Sequence, residues 1–123
     1  PGVLRPNATL SFICRQTTLQ IDDAGTEWTG GLASGTPLSI PIKNHDGAWF
    51  GDPDEGRVVF RYDATNPTGS HERIAGIANR DGNVLGMMPH PERCAEEVLG
   101  NKDGLALFQG LVESTVATMA VAR

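Results

Sequence analysis

The stretch Gly86–Arg93, GMMPHPER, decides how this chain is understood. It ends an apolar run, holds His90 between Pro89 and Pro91, and sets Glu92 two positions further on. Each proline fixes its own φ and pushes the residue before it out of the helical region, so the histidine is held in a narrow range of directions at low entropic cost. In extended backbone, residues i and i+2 lie on one side. His90 and Glu92 can therefore share a face, with the carboxylate within reach of the imidazole. A carboxylate bonded to one ring nitrogen fixes the tautomer and stabilises the imidazolium, which leaves the other nitrogen to take a proton from a nucleophile. A turn just past a strand end is also where open α/β sheets keep their chemistry. Spacing alone leaves a plainer reading open: a stiff turn, with Glu92 as an acid favoured at the start of the helical stretch ERCAEEVLG.

Outward from that turn, most of the chain reads as strand. Arg73–Ala78 (RIAGIA) and Asn83–Met88 (NVLGMM) are joined by Asn79-Arg80-Asp81-Gly82, and Asp-Gly between apolar runs is a strong hairpin signal. Arg57–Tyr62 (RVVFRY) is a further strand. Leu38–Lys43 (LSIPIK) is a short one that Pro41 confines to an edge or a bulge. Thr9–Ile21 alternates apolar and polar residues and predicts one long strand or two short ones. The glycine-rich 22–37, the turn-rich NHDGAWFGDPDEG at 44–56 and DATNPTGS at 63–70 are loops. From Asp103, apolar residues at Leu105, Phe108, Leu111, Val112, Val116 and Met119 keep helical spacing, with Asp103 as N-cap. That stripe is expected to pack on the sheet as core.

Composition bounds the function. The chain has 123 residues, enough for one domain with a core, and is 39% hydrophobic with a net charge of -5. Its ten basic residues are scattered, which argues against nucleic acid as the main partner. No apolar stretch approaches membrane-spanning length. Cys14 sits in strand pattern, where a thiol acts as a small hydrophobe. His90 and Cys94 are spaced like two metal ligands, but no second close pair completes a tetrahedral site, so no metal is assigned. His45 and His71 are expected to be exposed loop residues. Trp28 and the Trp49-Phe50 pair are candidates either for a partner contact or for buried loop anchors. The chain opens on Pro1 and enters strand pattern at once, which suggests a piece whose preceding segment is absent.

NVLGMMPHPER also closely resembles the C-terminal signature of the glutaminase subunits of phosphoribosylformylglycinamidine synthase, within the class I glutamine amidotransferases. LRPNATLSFICR, IPIKNHDGAWFGD, RVVFRY, NPTGS, IAGIANRDG and DGLALFQGLV resemble further stretches of that family in the same order. The resemblance implies an α/β fold, with residues 1–123 forming the C-terminal half of a flavodoxin-like domain, strand-rich with a C-terminal helix. It implies a Cys-His-Glu triad whose last two members are His90 and Glu92, acting on glutamine through a thioester. It implies a cytoplasmic protein that passes ammonia to a synthetase subunit, alongside a small accessory subunit. That synthetase uses ATP and magnesium to convert formylglycinamide ribonucleotide to the amidine in purine biosynthesis, while this chain itself needs no cofactor.

The resemblance has two gaps. The family's nucleophile lies in a Gly-x-Cys turn upstream of LRPN, and neither Cys14 nor Cys94 stands in such a context. The family often has histidine where this chain has Asn44, so no role is carried over to the Asn44-His45-Asp46-Gly47 loop. With the nucleophile missing and half of a parallel-sheet domain uncovered, the chain alone is expected to be inactive and marginally stable. The contrasting reading is a non-catalytic partner-binding module built on the same fold.

Overall fold

The computed structural model describes residues 1–122. Seven strands and one long helix follow in the order β1 (Val3–Pro6), β2 (Ile13–Ile21), β3 (Pro37–Asn44), β4 (Asp46–Phe50), β5 (Arg57–Tyr62), β6 (Ile74–Ala78), β7 (Leu85–Met87) and α1 (Leu105–Val121). Five strands form one sheet in the order β3-β2-β5-β6-β7, and β1 pairs with β4 as a separate ribbon. Every pairing among the described strands is antiparallel. Among the described residues the one α-helix follows the last strand, so none crosses over between strands as parallel neighbours would need.

Alternation builds the core. In β3, Leu38, Ile40 and Ile42 are fully or nearly fully buried while Ser39, Pro41 and Lys43 face outward. Leu19 and Ile21 of β2 join them, with Val59, Phe60 and Tyr62 from β5. β6 is buried along its whole length. Ala75 and Ala78 belong to the main core, while Ile74 and Ile77 meet Trp49 of the β1–β4 ribbon on the opposite face.

Three sequence expectations change. The 44–56 segment is not all turn, because Asp46–Phe50 forms β4 by pairing with β1 from Val3↔Phe50 to Pro6↔Asp46. That signal is non-local and lies in no single window. The long strand begins at Ile13 rather than Thr9, because Leu10 takes a left-handed conformation (φ 55°) in a turn pinned by Asn7. The helical stripe is not core: Val112, Val116 and Met119 are 61%, 60% and 61% exposed. The helix docks instead through Leu107, which is fully buried, and Gly110, whose bare Cα lies against the backbone of Gly30. Only the first two turns have the sheet and the 27–29 turn beneath them.

Asn7 is fully buried and joins three segments. Its amide donates to the Ser11 and Asn44 carbonyls at 2.9 Å each, and its Oδ1 accepts from Asn44 Nδ2 at 2.9 Å and Gly47 N–H at 3.1 Å. Asn7→Ala leaves these buried groups without partners and is expected to lower unfolding free energy by about 3 kcal/mol in urea titrations. A second test concerns Asp23. Arg57 Nε donates to its Oδ2 at 2.7 Å and holds the carboxyl below its ordinary value of 3.8, against partial desolvation. A depressed folded pKa stabilises above the ordinary value and loses that contribution as pH falls through the folded one. Urea midpoints measured from pH 7 to 3 should therefore show a steeper acid loss in the parent chain than in Asp23→Asn.

Candidate active site

Beyond β7 the chain runs through Met88 and Pro89 to His90, then into a 3-10 turn at Pro91–Cys94. His90 has φ -104° and ψ 88°, and Pro91 begins the turn. The contact anticipated from extended backbone is thus made at the mouth of a tight turn, which brings Glu92 back toward the ring. His90 Nδ1 lies 2.9 Å from Glu92 Oε1. The carboxylate oxygen accepts, so Nδ1 carries the proton and Nε2 is the nitrogen left for other chemistry. The His90 side chain is 30% exposed and that of Glu92 58%, so the pair sits at the surface and is not sealed in hydrocarbon. Arg93 Nε stands 3.9 Å from the same Glu92 oxygen.

What aims the ring is the edge of β3. In an antiparallel pair, residues alternate between exchanging both backbone bonds with the partner strand and pointing both groups away. Pro41 has no N–H, so opposite Gln16 it takes the outward position. Its carbonyl then also points off the sheet edge, and there it accepts the His90 N–H at 2.8 Å. Ser39, two residues back, presents its groups to the same edge. Its N–H donates to Asp103 Oδ2 at 2.7 Å and its carbonyl accepts from Asn101 Nδ2 at 3.3 Å. Asp103 therefore does not cap α1 as the sequence suggested; its carboxylate is bonded to β3. Gly104, next in the chain, donates its N–H to the Cys94 carbonyl at 3.0 Å. A Cβ on Gly104 would collide with the Pro91 carbonyl oxygen, so only glycine lets the helix start so close beneath the turn.

The remaining candidates separate clearly. Cys94 is buried, and its thiol points at the Pro91 carbonyl at 3.6 Å. Burial pushes that thiol up, which disfavours the thiolate. Cys14 is exposed on β2 rather than packed as a hydrophobe, and both cysteines are free. Among the described residues no group of three or more His, Cys, Asp and Glu side chains gathers as a metal site. His45 is exposed beside Asp46 at 3.0 Å. His71 is exposed too, and stacks against both Trp49 and Phe50 with ring centroids 6.3 Å apart. Trp49 is an anchor, 6% exposed, whose Nε1 donates to the Pro1 carbonyl at 3.0 Å. Trp28 Nε1 reaches the Asn83 carbonyl at 3.3 Å and ties its loop to the β6–β7 hairpin. Sequence reasoning passed over the parts that Pro41, Ser39 and Asp103 play; a proline inside an otherwise regular strand was the available signal for the first.

Comparison with known proteins supplies a context for this geometry. Residues 48–106 match the family model of a CobB/CobQ-like glutamine amidotransferase domain. The phosphoribosylformylglycinamidine synthase subunit PurQ of Trichormus variabilis is 46% identical over 95% of this chain and 55% of its own length. The PurQ subunit of Brucella abortus is 47% identical over 94% of this chain and 55% of its own length. Among solved structures, a chain of PurLQS from Thermotoga maritima superposes with a TM-score of 0.87 at 38% identity, over 94% of this chain and 53% of that one. The chain thus spans about half the length of the relatives it matches. Over nearly its whole length this chain is similar, in sequence and in fold, to the C-terminal part of PurQ subunits, and its residues 48–106 match a glutamine amidotransferase domain.

Proposed function

We propose that residues 1–123 are the C-terminal part of a single glutamine amidotransferase domain, in the glutaminase subunit of a phosphoribosylformylglycinamidine synthase, and that they supply the base and its orienting acid. The observation that carries this reading is the 2.9 Å contact between His90 Nδ1 and Glu92 Oε1, with Nε2 directed away from the carboxylate. A cysteine from outside this chain attacks the side-chain carbonyl carbon of glutamine. His90 Nε2 takes the thiol proton, and the carbonyl becomes a tetrahedral oxyanion. The intermediate collapses to a glutamyl thioester as His90 returns the proton to the departing ammonia. Water then attacks the thioester with His90 again as base, releasing glutamate and the thiol. Glu92 holds Nδ1–H throughout and stabilises the imidazolium that forms at each proton transfer.

The ammonia is used by a synthetase subunit that consumes ATP with magnesium, with a small accessory subunit in the same assembly and all of them cytoplasmic. The PurLQS match supports such a partnership. In that assembly this chain contributes no cofactor site.

Three measurements test the reading. In the full-length subunit, His90→Ala should lower kcat for glutamate release by about 100-fold or more. Glu92→Gln should lower it by less, since the ring keeps an acceptor but loses the charge that stabilises its protonated form. A His90→Ala protein that turns over normally would overturn the assignment. The 123-residue chain alone, lacking a cysteine beside His90, should release no ammonia from glutamine above background. If the full-length subunit also proves inactive with glutamine yet binds the synthetase, the partner-binding module becomes the correct reading.

A further inference from the structure

Two residues of the same edge of β3, Pro41 and Ser39, are bonded to the chain beyond β7, one to the His90–Glu92 turn and the other to the segment that underlies it. The first attachment is direct, from His90 N–H to the Pro41 carbonyl at 2.8 Å. The other runs through Asp103: its carboxylate holds the Ser39 N–H at 2.7 Å, while the next residue, Gly104, bonds the Cys94 carbonyl at 3.0 Å and lies against the Pro91 backbone. Asn101 steadies the same link, because its Oδ1 accepts the Asp103 N–H at 3.0 Å and its Nδ2 donates to the Ser39 carbonyl at 3.3 Å. Residues two apart in a strand stand about 6.6–6.8 Å apart, so the two attachments are spread along the edge and do not act at a single pivot. A turn held at one point can rotate about it; one held at two spaced points cannot.

We infer that Asp103 is a positioning residue for glutamine hydrolysis: by bonding the Ser39 N–H it seats Gly104 beneath Pro91 and thereby fixes the direction of the His90 imidazole. The inference rests on the catalytic reading of His90 and Glu92. Asp103 need touch neither substrate nor nucleophile. Its carboxylate is a charge-assisted acceptor, stronger than a neutral one, and it takes an edge N–H that would otherwise face solvent. Removing it leaves the second attachment to β3 resting on the longer Asn101–Ser39 bond alone, which loosens Gly104 and the 91–94 turn above it. A displacement of about 1 Å at a reacting group can cost on the order of 100-fold in rate.

The test uses the full-length subunit, with glutamate release followed against glutamine concentration. Asp103→Ala should lower kcat by about 10-fold or more with KM for glutamine little changed, since only the aim of the base is lost. Asp103→Asn keeps an oxygen acceptor for the Ser39 N–H and should restore most of kcat. Ser39→Pro removes the donor at an outward edge position where Pro41 shows that proline is tolerated, and should reproduce the loss seen with Asp103→Ala. The double variant should fall no further than either single one, as two members of one link do. If Asp103→Ala does not fold, Asp103→Asn and Ser39→Pro decide the matter alone. Unchanged kcat in Ser39→Pro, or equal losses in the Asn and Ala variants, would overturn the inference. His90→Ala in the same background separates the two ideas. Activity retained there defeats the catalytic reading, whereas activity lost there with Ser39→Pro intact defeats only the positioning role.

Discussion

The bond from the His90 amide to the Pro41 carbonyl joins the two ends of the sheet. β3 is the first strand in the spatial order and β7 the last, and the chain leaving β7 returns to β3 through this contact. A right-handed twist accumulated over five strands brings such edges toward one another, and this bond marks where they meet. The orientation of the candidate base is therefore set by the curl of the whole sheet. A proline makes the arrangement possible. With no N–H to give to β2, Pro41 turns away from its neighbour strand and offers its carbonyl to whatever lies outside.

The same logic explains how β3 tolerates being an edge. Unpaired backbone groups on an edge strand invite pairing with another chain. Here Ser39 is covered on both groups by Asp103 and Asn101, and Pro41 has one group only, which His90 takes. Protection of the edge and orientation of the site are one set of bonds. The electrostatics follow suit, since Glu92 needs to serve only His90 and the nearby Arg93, while Asp103 is engaged elsewhere.

Much of this was legible in the sequence, for local reasons. Arg57–Tyr62 and the hairpin around Asp81-Gly82 follow from alternation and turn chemistry, and Pro41 correctly announced an edge. The His90–Glu92 contact followed from spacing, although the backbone reaches it through a turn rather than a strand. What stayed hidden depends on partners distant in the chain. β4 exists because Val3–Pro6 lies beside it, which no window around Asp46-Gly47 reveals. Asp103 looked like a helix cap because capping is the local use of that residue type; its actual acceptor role is with Ser39. Periodicity alone also misjudged α1. The contact face uses Leu107 and Gly110, where small size rather than hydrophobicity brings the backbone close to Gly30.

The pairing of Val3–Pro6 with 46–50, and of Ile13 with Asn44, means that few strands meet a sequence neighbour across a short turn. Closing such large loops costs chain entropy before any apolar surface is gained, a cost that local pairing does not carry. Residues 41 and 90 come together where those pairings close the sheet. The contact between His90 and Glu92 is therefore placed by strand pairings that lie far apart in the chain, and no isolated segment of it would hold the pair where the closed sheet does.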